Sequence, residues 1–144
     1  MKIKFLKDYL NDKKFIPISA LIMSLSFVSG AQASNVSFEA GDNSAETKLC
    51  ILAASNNLAA TKHYISRIAR SEGLRKGNQV AFLTKNLTCN DTDIVKFAAT
   101  YNAGKTFKYL NRRAYKEHRL DTDTSISDLA KTFDKPTLIV VTSK

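Results

Sequence analysis

The sequence predicts a mostly α fold: two stacked αα-hairpins joined by one disulfide, with a minor β element. Three observations carry this. Stretches rich in Ala and Leu at helical spacing fill residues 46–70 and 91–116. The two stretches align with each other without a gap at an offset of 45. The two cysteines, Cys50 and Cys89, stand inside the first stretch and just ahead of the second.

The chain begins with Lys2, Lys4, Lys7, Lys13 and Lys14, followed by an apolar run from Phe15 to Val28. Ser29 and Gly30 break that run, and Ala31-Gln-Ala33 supplies small residues at a peptidase site. A positive segment, an apolar segment and a small-residue site in this order predict a signal peptide over residues 1–33. Residues 34–144 are then a single mature helical domain, periplasmic or secreted, with no transmembrane segment after cleavage. Ser19, Ser24, Ser26 and Ser29 dilute the apolar run below what a membrane span needs. Of the 22 Lys+Arg and 13 Asp+Glu in the chain, five Lys and two Asp lie in residues 1–33. Residues 34–144 therefore carry 17 basic against 11 acidic residues, a net charge of +6, which favours acidic partners by long-range attraction.

Both cysteines fall in the mature part. An even count in an exported chain predicts one bridge, Cys50–Cys89. Closing that loop is worth about 4 kcal/mol as an upper value. Neither Cys has a His within four residues, so no zinc site is expected.

Within the domain, residues 35–39 read as a short edge strand, and Asp42, Asn43 or Ser44 can cap the first helix. Helices are expected over 46–56 and 58–70, broken at Asn56-Asn57 and ended by Gly73 and Gly77. Residues 79–84 alternate poorly but are β-prone, and one strand is expected there. Asn90-Asp-Thr-Asp93 opens the next helix, with Asn90 as its cap. Helices are expected over 91–101 and 104–116. Residues 121–124 read as a turn, and Ser125-Ile-Ser-Asp128 as a capping box for a short helix to about Thr132. The β-branched run 137–142 reads as a terminal strand, paired with 79–84 or with the 36–38 edge.

The repeat sets Ala53-Ala54 on Ala98-Ala99, Asn57 on Asn102, Thr61 on Thr106 and Tyr64 on Tyr109. Further along, Arg67 falls on Arg112 and Ala69 on Ala114. This predicts two helix–turn–helix units with turns at Asn57 and Asn102. Two units are fewer than a solenoid needs, and the disulfide would tie one to the other in place of a third.

The stretch Cys50-Ile-Leu-Ala-Ala-Ser-Asn-Asn-Leu58, then Leu87-Thr-Cys-Asn-Asp-Thr-Asp-Ile-Val-Lys-Phe-Ala-Ala-Thr-Tyr-Asn-Ala103, resembles a known family. Its members are small exported two-cysteine gammaproteobacterial proteins catalogued as a domain of unknown function. The family pattern is similar to Cys-x-Ala-Ala followed by Leu-x-Cys-Asn-Gly-x-x-(Leu/Ile)-x-x-Phe-Ala. The resemblance covers about residues 41–113. It implies export and a two-cysteine framework, and it brings no activity. The chain departs from the pattern at Ile51-Leu52 and at Asp91, which stands where Gly is usual.

No catalytic constellation is present: no Gly-rich phosphate loop, no nucleophile elbow and no His-Glu-x-x-His. His63 and His118 stand in no metal spacing. No catalytic residue, cofactor or metal is expected. The one polarised feature is a basic run: Lys105, Lys108, Arg112, Arg113, Lys116 and Arg119 against Glu117 alone. Lys105, Lys108, Arg112, Lys116 and Arg119 recur every three or four residues, which makes a stripe on a helix, with Tyr115 beside it. Lys62, Arg67 and Arg70 add charge on the corresponding helix of the first unit. The leading expectation is a non-enzymatic binding or interaction module for an acidic protein or an anionic envelope component. Export weighs against nucleic acid. The alternative is a small periplasmic enzyme or enzyme inhibitor acting through a cleft between the hairpins.

Overall fold

Two strands from opposite ends of the described chain meet on one side of a helical layer. The computed structural model describes residues 35–121 and 126–144. The expected leader, the turn at 122–124 and Ser125 of the expected capping box lie outside the described residues. Strand β1, Val36–Ala40, pairs in parallel with the later strand β4, Thr137–Val141. The register runs from Val36↔Thr137 to Ala40↔Val141. Side chains alternate along β4: Ile139 packs against the core and Val141 is fully buried, while Leu138 and Val140 face out. Of the two partners the sequence allowed this strand, the 36–38 edge is the one found.

Helix α1, Ala45–Ala54, starts at Ser44, whose hydroxyl accepts the Thr47 amide at 3.0 Å. Asp42 organises this cap. It accepts the Ser44 amide at 2.8 Å and the Thr47 hydroxyl at 2.8 Å. Thr47, Leu49, Cys50, Ala53 and Ala54 are buried in α1 because the helix is central: it packs on β1, on β4 and on three other helices. Helix α2, Leu58–Ser71, begins at Asn57, whose side chain accepts the Ala60 amide at 3.1 Å. It buries Thr61, Ile65, Ile68 and Ala69. Gly73 at φ 67° closes α2: the Leu74 amide reaches back to Ala69 O and the Gly73 amide to Arg70 O.

Residues 79–84 are a helix, not the expected strand. Helix α3 spans Gln79–Asn86 and buries Val80, Ala81, Leu83 and Thr84. The physical reason is visible in the spacing: Val80, Leu83 and Leu87 recur at helical intervals, all three are buried, and β propensity gives way to that pattern.

A tight hairpin comes next, β2 Thr88–Cys89 against β3 Thr92–Asp93. Its two turn residues, Asn90 and Asp91, have φ of 48° and 58°. Both central residues at positive φ make a primed turn, which is why an Asn-Asp or Asn-Gly pair is wanted there. Asn90 is therefore a turn residue rather than the expected cap. Its side chain instead clamps β4: it donates to Val140 O at 2.9 Å and accepts the Thr142 amide at 2.8 Å. Asp93 caps helix α4, Ile94–Thr100, through the Val95 amide at 2.7 Å. Helix α5 is Gly104–Arg113. A single 3₁₀ turn succeeds it at Lys116–His118, then α6 at Ile126–Leu129.

The disulfide forms between Cys50 of α1 and Cys89 of β2, with Cα atoms 5.7 Å apart, and both residues are fully buried. Around it lies one apolar cluster, including Leu49, Ile65, Val95, Phe97, Leu110 and Val141. Tyr101 closes one end, edge-on to Phe38 and Phe97 and stacked on Phe133.

The expected repeat meets a complication. Both units leave their first helix through a left-handed Asn, but the first is Asn56, not Asn57; Asn56 and Asn102 each have φ 57°. The Asn57 amide bonds Leu52 O, and the Ala103 amide bonds Ala98 O, so the turns correspond at an offset of 46. The buried positions correspond at 45: Leu49 and Ile94, Cys50 and Val95, Ala53 and Ala98, Thr61 and Thr106, Ile65 and Leu110. No single offset carries both turn and core, and the repeat is not established.

The candidate anionic-partner surface

Helix α5 presents two faces by simple helical arithmetic. Thr106, Phe107 and Leu110 are buried against the core, and Lys105, Lys108 and Arg112 are exposed. Between these faces, Tyr109 is half-buried and lies four residues from Lys105, three from Arg112 and four from Arg113. Residues at those spacings are neighbours on a helix surface. From across the seam, α2 contributes Lys62, with its Nζ 5.1 Å from the centre of the Tyr109 ring. The Arg113 guanidinium stands 4.4 Å from the same centre. The Tyr109 ring thus has Lys62 and Arg113 in cation–π range, and Lys105 and Arg112 stand within one helical turn of Tyr109 on α5.

The seam is held in place by polar bonds between the two helix pairs. Asn56, at the end of α1, accepts the Lys105 amide at 2.8 Å and the Thr106 amide at 3.3 Å. It therefore caps α5, whose own cap position is Ala103 and has no side-chain acceptor. The buried Thr106 hydroxyl bonds Ala53 O at 2.6 Å and Ala103 O at 2.9 Å. The first turn of α5 is fastened to the last turn of α1, which fixes where the α5 cations stand relative to α2.

The expected stripe is shorter than the sequence spacing suggests. The helix ends at Arg113, and Ala114 is buried in an extended conformation. The reason is a side-chain clamp: Asn111 accepts the Leu120 amide at 2.8 Å and donates to Leu120 O at 3.0 Å. That pair of bonds folds residues 115–120 back along α5. Lys116 therefore sits in the 3₁₀ turn and Arg119 in the extended segment after it, both exposed but off the helix. Arg119 bonds Ala114 O through its Nε at 2.8 Å. Of the six cations named from sequence, Lys105, Lys108, Arg112 and Arg113 share α5. Lys85 of α3 is an addition: its Nζ lies 6.0 Å from the Tyr115 ring. The helical spacing of Val80, Leu83 and Leu87 is the signal that would have put Lys85 on a helix packed beside α5.

Helices α2, α3, α4 and α5 contain no acidic residue, while Glu72 follows α2 and Glu117 lies in the segment folded back along α5. No acid occurs between Asp93 and Glu117, and Glu72 is the sole acid between Glu46 and Asp91. Among the described residues the ion pairs are His118 Nδ1–Asp93 Oδ2 at 3.3 Å and Lys144 Nζ–Asp91 Oδ1 at 2.7 Å. Neither uses a cation of α2, α3 or α5.

A second feature is a shallow open hollow lined by Asp93, Lys96, Glu117, His118, Arg119 and Leu120. It lies at the start of α4 and holds the His118–Asp93 pair, with Asp93 already committed as a helix cap. Among the described residues no three His, Cys, Asp or Glu gather as a metal site. Nor is any helix of the described residues long and apolar enough to cross a membrane.

A family model described as "Protein of unknown function (DUF3718)" matches residues 49–131. That span runs from within α1 through α6 and includes both cysteines and the whole Tyr109 seam. No curated protein and no solved structure matches the chain.

Proposed function

The chain belongs to the DUF3718 family of proteins of unknown function, and from its own surface we propose that it is an exported, non-catalytic binding module for an anionic partner. The observation that carries the reading is the seam itself: Lys62 and Arg113 against the Tyr109 ring, Lys105 and Arg112 within a turn of it on α5, and no acid on α2, α3, α4 or α5. A solvated helix face has little reason to exclude acids from four consecutive helices, whereas a surface for anions does. The Cys50–Cys89 bridge supports an oxidising compartment. The charged run before Phe15 and the Ala31-Gln-Ala33 site support cleavage before Ser34.

Two measurements test this. Mass spectrometry of the exported protein should find Ser34 at its N-terminus; an intact Met1 in a membrane fraction refutes cleavage. The oxidised protein should be retained on an immobilised soluble polyanion such as polyglutamate. Arg112→Glu and Arg113→Glu should elute at lower salt, and unchanged elution removes the binding-face reading.

A further inference from the structure

Resting on that reading, we infer that the partner of the Tyr109 seam is a bilayer surface bearing anionic phosphate headgroups. The cations of this region come paired with tyrosines. Lys62 and Arg113 lie against Tyr109, Arg67 lies 5.7 Å from the Tyr64 ring, and Lys85 lies against Tyr115. Tyrosine with a neighbouring Lys or Arg is the side-chain pair suited to the headgroup zone, where an amphipathic ring meets a phosphate and a long cationic chain reaches it.

Two observations favour a lipid surface over a protein or nucleic-acid partner, and a third says how it is bound. The seam is of one sign. A protein interface fixes its register with charges of both signs, while an array of phosphates needs only cations. The Tyr109 and Tyr64 rings already hold cations, so a nucleic-acid base would have to displace a guanidinium or ammonium before stacking. Of the three large exposed apolar side chains of the described residues, Leu138 and Val140 lie on β4, which carries none of these cations. Tyr115, 40% exposed, is the one large apolar side chain open at the seam. Adsorption is therefore electrostatic, with the domain lying on the headgroups rather than entering the acyl layer.

The sequence contains no tryptophan, so Tyr109→Trp supplies a single reporter that keeps the cation–π contacts. Leu138→Trp supplies a control on β4. With vesicles of phosphatidylglycerol, Tyr109→Trp emission should shift to the blue and the protein should co-sediment. With phosphatidylcholine neither should happen, and raising the salt should reverse both. The pair Lys62→Gln and Arg113→Gln should weaken vesicle binding about thirtyfold, from the loss of about 1 kcal/mol for each cation near the surface. Should that double variant fail to fold by circular dichroism, Lys105→Gln, within a turn of Tyr109 on α5, takes its place. A blue shift of Leu138→Trp without one of Tyr109→Trp, or equal binding to both lipids, overturns the inference. Retention on polyglutamate with no vesicle binding overturns the lipid assignment and leaves the proposed function standing. Loss of both overturns the two together.

Discussion

The α1–α2 pair and the α4–α5 pair turn on the same backbone device and bury different faces behind it. Asn56 and Asn102 have the same φ and direct the same two backward hydrogen bonds. Counted from that Asn, the buried positions of the second pair come one residue earlier. One residue is about 100° of helix, so the helices after the two turns present different sides to the core. The turn is a property of one residue and the carbonyls behind it. The buried face is a property of the neighbours, and the neighbours differ: α1 sits at the centre with strands on one side, while α4 packs on α1, α5 and α6. Residue identity at an offset of 45 tracks burial, because packing is what constrains residue type.

The largest test of how the pairs depend on each other is the bridge. Cys50→Ser or Cys89→Ser should lower stability by about 2–4 kcal/mol, read as a fall in denaturant midpoint. An unchanged midpoint would mean that the packing of α1 on α4 and α5 couples the pairs without the bridge. The two threonines give a finer contrast. Thr106→Val removes a buried cross-pair bond to Ala53 O and should cost about 1–2 kcal/mol. Thr61 bonds only Asn57 O within its own turn, which also receives the Thr61 amide, so Thr61→Val should be nearly neutral. Equal costs would erase the distinction. The turn residues should respond in opposite directions. Asn56→Gly keeps the left-handed backbone but removes the α5 cap, with a loss of about 1 kcal/mol. Asn102→Gly relieves positive φ with no cap to lose and should be neutral or slightly stabilising in thermal melts.

The smallest effect is on pH. The Ser44 hydroxyl and amide and the Thr47 hydroxyl hold the Asp42 carboxyl below the usual carboxylate range. A depressed native value stabilises above the unfolded value, and that contribution is lost as pH falls through the native one. Asp42→Asn should therefore lower stability slightly near neutrality, where the carboxylate contribution is present, and flatten the acid limb so that the two proteins converge at low pH. An acid limb identical in the two proteins rules out the Asp42 contribution.

The two α1–α2 helices were legible because local signals agreed: a Ser cap at 44, an Asn break at 56–57 and a Gly stop at 73. The terminal strand was legible from its β-branched run, 137–142, and the 35–39 edge as a short segment ahead of Gly41 and the cap residues. The bridge came from cysteine count and expected compartment. What failed did so where tertiary bonds outvote local pattern. Asn111 ends α5 early by clamping Leu120, nine residues away, and no helical periodicity registers that. Asn90 looks like a cap because Asn often is one, but the adjacent Asp91 at positive φ makes the pair a hairpin turn. Of the five cations expected in a helical stripe, Lys105, Lys108 and Arg112 lie on α5 and Lys116 and Arg119 lie beyond it, while the contact of Lys62 with Tyr109 depends on its arriving from another helix. Asn56 as the cap of α5 had no sequence signal at all, since its acceptor serves amides 49 and 50 residues away.

The parallel pairing of β1 with β4 has a kinetic consequence. Each helix pair can form from contacts close in sequence, on the microsecond scale of local helical structure. The strand pair must join Val36–Ala40 to Thr137–Val141, which closes nearly the whole described chain and is entropically the most demanding contact in the molecule. Helical condensation should therefore come first and sheet closure last. Mutations in β4 should speed unfolding with little change in folding rate, while those in α1 or α4 should slow folding itself.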